Sequence, residues 1–250
     1  MLKKNNDSYA GSYVLRFPRS LYYQIHLIAG LWGLSVGSTL EFANSLPDDP
    51  TIGEGWVVFP KISAIAAKHF PQLTDDVEIH TGCIDLLADI YTKYRGMEFD
   101  KLKTYEARKG YNKWRLSSRT AEALRILEEL QPGDMIIVSV QNGSYHQDVS
   151  PLEATARFAE NEFPLHTVAL GSSLMVYPEL IWRGCKPIFA MGDEIIFPTE
   201  RDDREQKPYY PIFWFHYMDG KYEWLRSADV KLDTCHDQLD SAMIATAFIE

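Results

Sequence analysis

Apolar and polar positions alternate briefly near the start of the chain and then change period. Tyr13, Leu15 and Phe17 fall on one side of an extended segment, and Ser12, Val14 and Arg16 on the other, which predicts a short half-buried strand. Pro18 closes it and suits a helix start. Leu21, Ile25, Ile28 and Ala29 then recur at helical spacing, so one face of a first helix is apolar. Gly33 stands where that helix stops, because glycine takes the left-handed cap without strain. Ser35 is placed to cap a second helix with Val36, Leu40 and Ala43 turned inward. The run Pro47-Asp48-Asp49-Pro50, with Gly53 and Gly55 beyond it, predicts a linker or sharp turn that separates residues 1–46 from residues 47–250.

Beyond that break the pattern predicts a mixed α+β unit. Trp56–Phe59 reads as a strand and Ile62–Phe70 as a helix opened by Pro60. Cys83–Tyr94 has helical periodicity at Leu86, Leu87, Ile90 and Tyr91. Ser118 is placed to cap a helix through Leu130, which ends at Pro132-Gly133-Asp134, and Met135–Val140 reads as a strand before the turn signal Asn142-Gly143. Ser150-Pro151-Leu152-Glu153 forms a capping box with proline at the first helical position, so a helix is expected to about Phe163. Leu165–Leu170 and Pro187–Phe197 look extended, and Thr199–Pro208 is a charged loop. Pro211–Leu225 reads as two aromatic strands around the turn Asp219-Gly220, an antiparallel sheet toward the end of the chain. A last helix is expected over Gln238–Phe248.

Charge changes this picture at one point. The net charge of the 250 residues is −10. Residues 1–46 hold Lys3, Lys4, Arg16 and Arg19 against Asp7 and Glu41, whereas residues 47–250 hold 21 basic and 33 acidic residues, a net of −12. A surface that acidic excludes wrapping of nucleic acid over the whole molecule, so any such contact belongs to the N-terminal piece. The three cysteines, Cys83, Cys185 and Cys235, are an odd number and far apart, which argues for a reducing, cytoplasmic setting rather than a disulfide framework. The apolar stretch Leu21–Leu34 contains Gln24 and His26 and, at about 14 residues, is too short to span a bilayer, so no membrane partner is expected.

The string Leu15-Arg16-Phe17-Pro18-Arg19, then Leu21, Gly33 and Ser35-Val36, resembles the Arc/MetJ-type ribbon-helix-helix family, with the counts from proline to glycine and from glycine to serine matched without gaps. The resemblance covers residues 12–46. It implies a homodimer whose paired strands enter the major groove of DNA, with Ser12, Val14 and Arg16 facing base edges. It also implies a phosphate held near Ser35 and Val36, while Lys3, Lys4 and Arg19 attract the backbone. Arginine suits such reading because it pairs bidentately with guanine. On this resemblance the chain is a DNA-binding regulator, or an accessory DNA-binding factor of a mobile element, whose acidic domain senses a ligand or recruits another protein. One alternative is an interaction or scaffold component that keeps the fold for dimerising only. A helix carrying Tyr22, Tyr23, Leu27, Leu31 and Trp32 off its inner face favours that alternative. An enzyme in the α+β part is the other.

No catalytic set stands out in that part, and no cofactor or metal is expected. His80 and Cys83, with Cys235-His236, offer ligands zinc accepts, but neither pair has the usual spacing, and a surface histidine beside a buried cysteine is the simpler account. Gly171-Ser172-Ser173 lacks the second glycine of a nucleophile elbow and reads as a cap before a helix. His146 and Asp148 read as polar residues near a turn, and Asp193-Glu194 as a hairpin turn. The basic, aromatic run 94–119 suits a solvated helical face.

Overall fold

A computed structural model describes residues 19–95, 113–141, 146, 151–178, 188–196, 212–213, 215–218, 221–224 and 243–249. In chain order the elements are α1 (Leu21–Trp32), α2 (Gly37–Ala43), β1 (Gly55–Pro60), α3 (Ile62–His69), α4 (Asp76–Arg95), β2 (Lys113–Leu116), α5 (Ser118–Leu130), β3 (Met135–Gln141), α6 (Pro151–Arg157), β4 (Glu162–Pro164), α7 (Thr167–Val176), β5 (Ile188–Phe189), β6 (Asp193–Ile196), β7 (Ile212–Phe213), β8 (Phe215–Met218), β9 (Lys221–Trp224), β10 (Met243–Ile244) and β11 (Thr246–Phe248). The architecture is α+β. No helix among the described residues is long and apolar enough to cross a membrane.

The centre is a four-stranded antiparallel sheet in the order β1-β3-β11-β4. Every residue of β1 and β3 is buried, and both strands read as continuous apolar runs covered on two sides. Two glutamine side chains complete their hydrogen bonding. Gln24, buried on α1, donates from Nε2 to the Trp56 carbonyl (3.0 Å) and accepts from the Val58 amide (3.2 Å) along the outer edge of β1. Gln131 does the same for β3 beyond the end of β11, donating to the Ile137 carbonyl (2.8 Å) and accepting from its amide (2.8 Å). Each amide group stands in for a missing strand and leaves no open edge there. The described residues form three smaller sheets as well: β10-β5-β7, with β10 parallel to β5, and the antiparallel pairs β2-β6 and β8-β9.

α1 begins at Ser20, whose Oγ accepts from the Tyr23 amide at 3.3 Å, and stops on Gly33 in the left-handed region at φ 67°. Its face of Ile25, Ile28, Ala29 and Trp32 packs on β1 and α7, in one hydrophobic core with α4, α5, β3 and β11. The division expected after residue 46 therefore does not divide the core. α2 opens at Val36 without a side-chain cap, so Ser35 is not the helix cap that its position predicts.

Several expected elements stand close to their predicted bounds: β1, α3, α5, β3, and the β8-β9 pair, where Met218 faces Lys221 across the predicted turn. Others differ. Leu165–Leu170 is not extended: α7 starts at Thr167 and holds Gly171-Ser172-Ser173 in its interior, every residue buried. A helix apolar on all sides carries no period to read. The helix expected over Gln238–Phe248 gives way to β10 and β11 at its end, because a buried central strand is also a short continuous apolar run. The helix after Ser150 ends at Arg157 rather than near Phe163, which lies in β4. The basic run contains β2, paired with β6, where a helical face was expected. Ser150, Asn142-Gly143, Asp219-Gly220 and the loop 199–208 lie outside the described residues.

Candidate functional site

Where β4 passes into α7, the chain brings three ionisable side chains together. His166 is the residue before the first turn of α7. His80 lies in α4, about one turn from its start, and Asp193 is the first residue of β6. Gly192 lets these segments meet: a Cβ there would stand 2.5 Å from the His166 backbone nitrogen and 2.7 Å from the Leu165 carbonyl carbon. The Gly192 amide donates to the Leu165 carbonyl at 3.0 Å, which fixes the two loops side by side.

The hydrogen bonds order two of the three groups. His80 Nε2 donates to Asp193 Oδ1 at 2.6 Å, and the Thr167 amide donates to Oδ2 at 2.6 Å. The second bond places a carboxylate on the N-terminus of α7, where the helix dipole favours negative charge. Burial alone would raise the Asp193 carboxyl. The His80 charge and hydrogen bond, His166 and the Thr167 amide outweigh it and hold the group below the ordinary carboxylate value. Asp193 is thus ionised and accepts only, so the shared hydrogen sits on His80 Nε2.

His166 is different. Neither ring nitrogen has a hydrogen-bond partner, and neither has His80 Nδ1. Its ring meets Phe59 edge-on at 5.7 Å and tilts against His80 at 5.8 Å. Burial pushes its pKa down to about 3, with Asp193 pulling the other way and His80 adding to the fall, so the ring is neutral at neutral pH. One ligand atom from each of His80, His166 and Asp193 lies within 4.8 Å of the others. The three residues are 2 %, 0 % and 0 % exposed, which closes the cluster to any substrate of size and leaves it the chemistry of holding a proton or an ion.

Comparison with family models, with curated proteins and with solved structures finds no match.

The sequence signals for this cluster were partial. His80 stood out beside Cys83, but it is a buried residue partnered by Asp193 rather than a surface histidine. Cys83 is not a member of the group, and burial pushes its thiol up to about 12. Asp193 and Glu194 do not mark a hairpin turn. They lie in β6 and point to opposite sides, Asp193 inward and Glu194 onto Arg115 of β2 at 2.8 Å. His166 carried no local signal, and His80 and Asp193 are 113 residues apart, so only the tertiary fold joins them. A second buried pair has the same chemistry: His146 Nε2 donates to Glu162 Oε1 at 2.7 Å, and Thr246 Oγ1 donates to that oxygen at 2.6 Å. Asp148, Cys235 and His236 lie outside the described residues.

Of the residues expected to meet DNA, Lys3, Lys4, Ser12, Val14 and Arg16 lie outside the described residues. Arg19 turns back onto the fold, its guanidinium 5.0 Å above the Tyr177 ring and its carbonyl accepting from the Tyr177 hydroxyl at 3.2 Å. The Ser35 amide donates to Asp134 Oδ2 at 2.8 Å, so a carboxylate of the same chain occupies the place expected for a phosphate. The Val36 carbonyl accepts from the Leu40 amide at 2.9 Å in the first turn of α2. Tyr22, Tyr23 and His26 face solvent on the outer side of α1, with Tyr22 65 % and Tyr23 48 % exposed.

Proposed function

We propose that the chain is a DNA-binding regulator, or an accessory DNA-binding factor of a mobile element, that pairs with a second copy through the strand expected from the sequence at residues 12–17. The observation that carries this reading is the helix, left-handed glycine and second helix over residues 21–43, in the succession that the resemblance requires. The net charges of the N-terminal piece and the remainder have opposite sign, which supports approach to DNA from that end. Arg16 reads a base, and Lys3 and Lys4 contribute attraction to the backbone. A mobility-shift titration of the whole protein at rising salt tests this. Binding falls steeply with salt, Arg16→Ala weakens cognate binding by roughly 1–3 kcal/mol, and Lys3→Ala flattens the salt slope by about one unit. Absence of binding at low salt would sink the reading.

A second reading is a pairing or scaffold component that uses the same element without DNA. One observation favours it: the Ser35 amide is already taken by Asp134. Asp134→Ala separates the two. If Asp134 shields a phosphate site, its removal raises DNA affinity by about threefold, the scale of one charge at a helix start. Under the pairing reading it changes nothing. Sedimentation at micromolar concentration tests the dimer common to both.

A further inference from the structure

We infer that His80, His166 and Asp193 form a buried binding site for a divalent transition-metal ion of the zinc class, which ties α4, the start of α7 and the start of β6 together. Two imidazoles and one carboxylate are a donor set that zinc accepts, and their ligand atoms already lie within 4.8 Å of one another. At metal–ligand distances of about 2.1 Å, tetrahedral neighbours stand about 3.4 Å apart. The 2.6 Å His80–Asp193 pair opens slightly to reach that spacing, and His166 closes toward it.

The decisive feature is His166. A fully buried ring with no partner on either nitrogen is costly, since buried polar groups are almost always satisfied. A neutral imidazole beside an ionised carboxylate is also what a cation needs, and the ion gives one of the two orphaned nitrogens a partner. Binding through His80 Nε2 moves the hydrogen off that nitrogen. From a neutral ring it passes to Nδ1, and from a protonated ring to solvent. The carboxylate stays anchored through Oδ2 by the Thr167 amide, the outer support that metal ligands require. The chain supplies three ligands from residues closed to solvent, and a water molecule enclosed with the ion takes the fourth position.

Untagged protein provides the test, by two routes: expression in zinc-supplemented medium, and refolding from guanidinium and EDTA into zinc or cobalt chloride. Mass spectrometry of the folded protein should find about one metal per chain, and its thermal midpoint should rise with free zinc. Cobalt-refolded protein should show visible ligand-field bands without a near-ultraviolet thiolate band. His80→Gln and His166→Gln should each lose the metal, while His26→Gln, on the exposed side of α1, should keep it. Less than about 0.1 metal per chain in the wild type by both routes would overturn the assignment. So would a thiolate band, or metal content unchanged in both variants. Should the two variants fail to fold, the stoichiometry and cobalt spectrum of the wild type decide.

Discussion

Single side chains close gaps in this fold that backbone elsewhere would fill. Gln24 hydrogen-bonds two main-chain groups of β1, and both are buried. Gln24→Leu keeps the volume but strands the Trp56 carbonyl and the Val58 amide, so it should cost about 2–3 kcal/mol in chemical denaturation. A merely apolar role for position 24 would instead leave stability unchanged. Gly192 is required for a different reason, the contact between two loops. Gly192→Ala should destabilise by roughly 1–3 kcal/mol, since the atoms it meets are backbone and cannot turn away. Cys83, fully buried with its thiol raised to about 12, should resist iodoacetamide at pH 8 in the native protein and react only after unfolding. Peptide mapping separates it from Cys185 and Cys235.

At the level of helices, capping distinguishes two serines that look alike in the sequence. Ser117 begins α5, its Oγ accepting from the Thr120 amide at 3.4 Å, one residue before the expected cap at Ser118. Ser35 precedes α2 and uses only its backbone amide. Ser117→Ala should therefore lower stability by about 1 kcal/mol, while Ser35→Ala should stay within about 0.5 kcal/mol of the wild type. Elements with a period were legible: the faces of α1 and α5 follow from Ile25, Ile28, Ala29 and from Leu124, Leu127. α7 and β11 were not, because Val168–Val176 and Thr246–Phe248 are buried all round, and such runs suit helix and strand equally. The buried site was legible only as fragments. His80 and Asp193 were singled out beside the wrong neighbours, Cys83 and Glu194, since proximity in the sequence was the only guide to pairing.

For the molecule as a whole, the shared core makes the N-terminal helices part of the folding unit. Trp32 is 1 % exposed on α1, and Trp32→Ala should cost about 3–5 kcal/mol. Deleting residues 1–46 should abolish the cooperative melt of the remainder, whereas an independent module would leave that melt in place. The middle of the central sheet has a further consequence, for the order of events during synthesis. β11 fits between β3 and β4, and Thr246 meets Gln141 across 105 residues. Until the ribosome has released that segment, β3 and β4 face each other across an empty slot one strand wide. The nascent chain thus carries the β3 border through the translation of about a hundred residues and the β4 border through about eighty, a long exposure to stray strands of neighbouring polypeptides. Cells making this protein should need holding chaperones on it late in elongation, and a chain stopped after residue 242 should collect in the insoluble fraction even though α1 to β4 are intact.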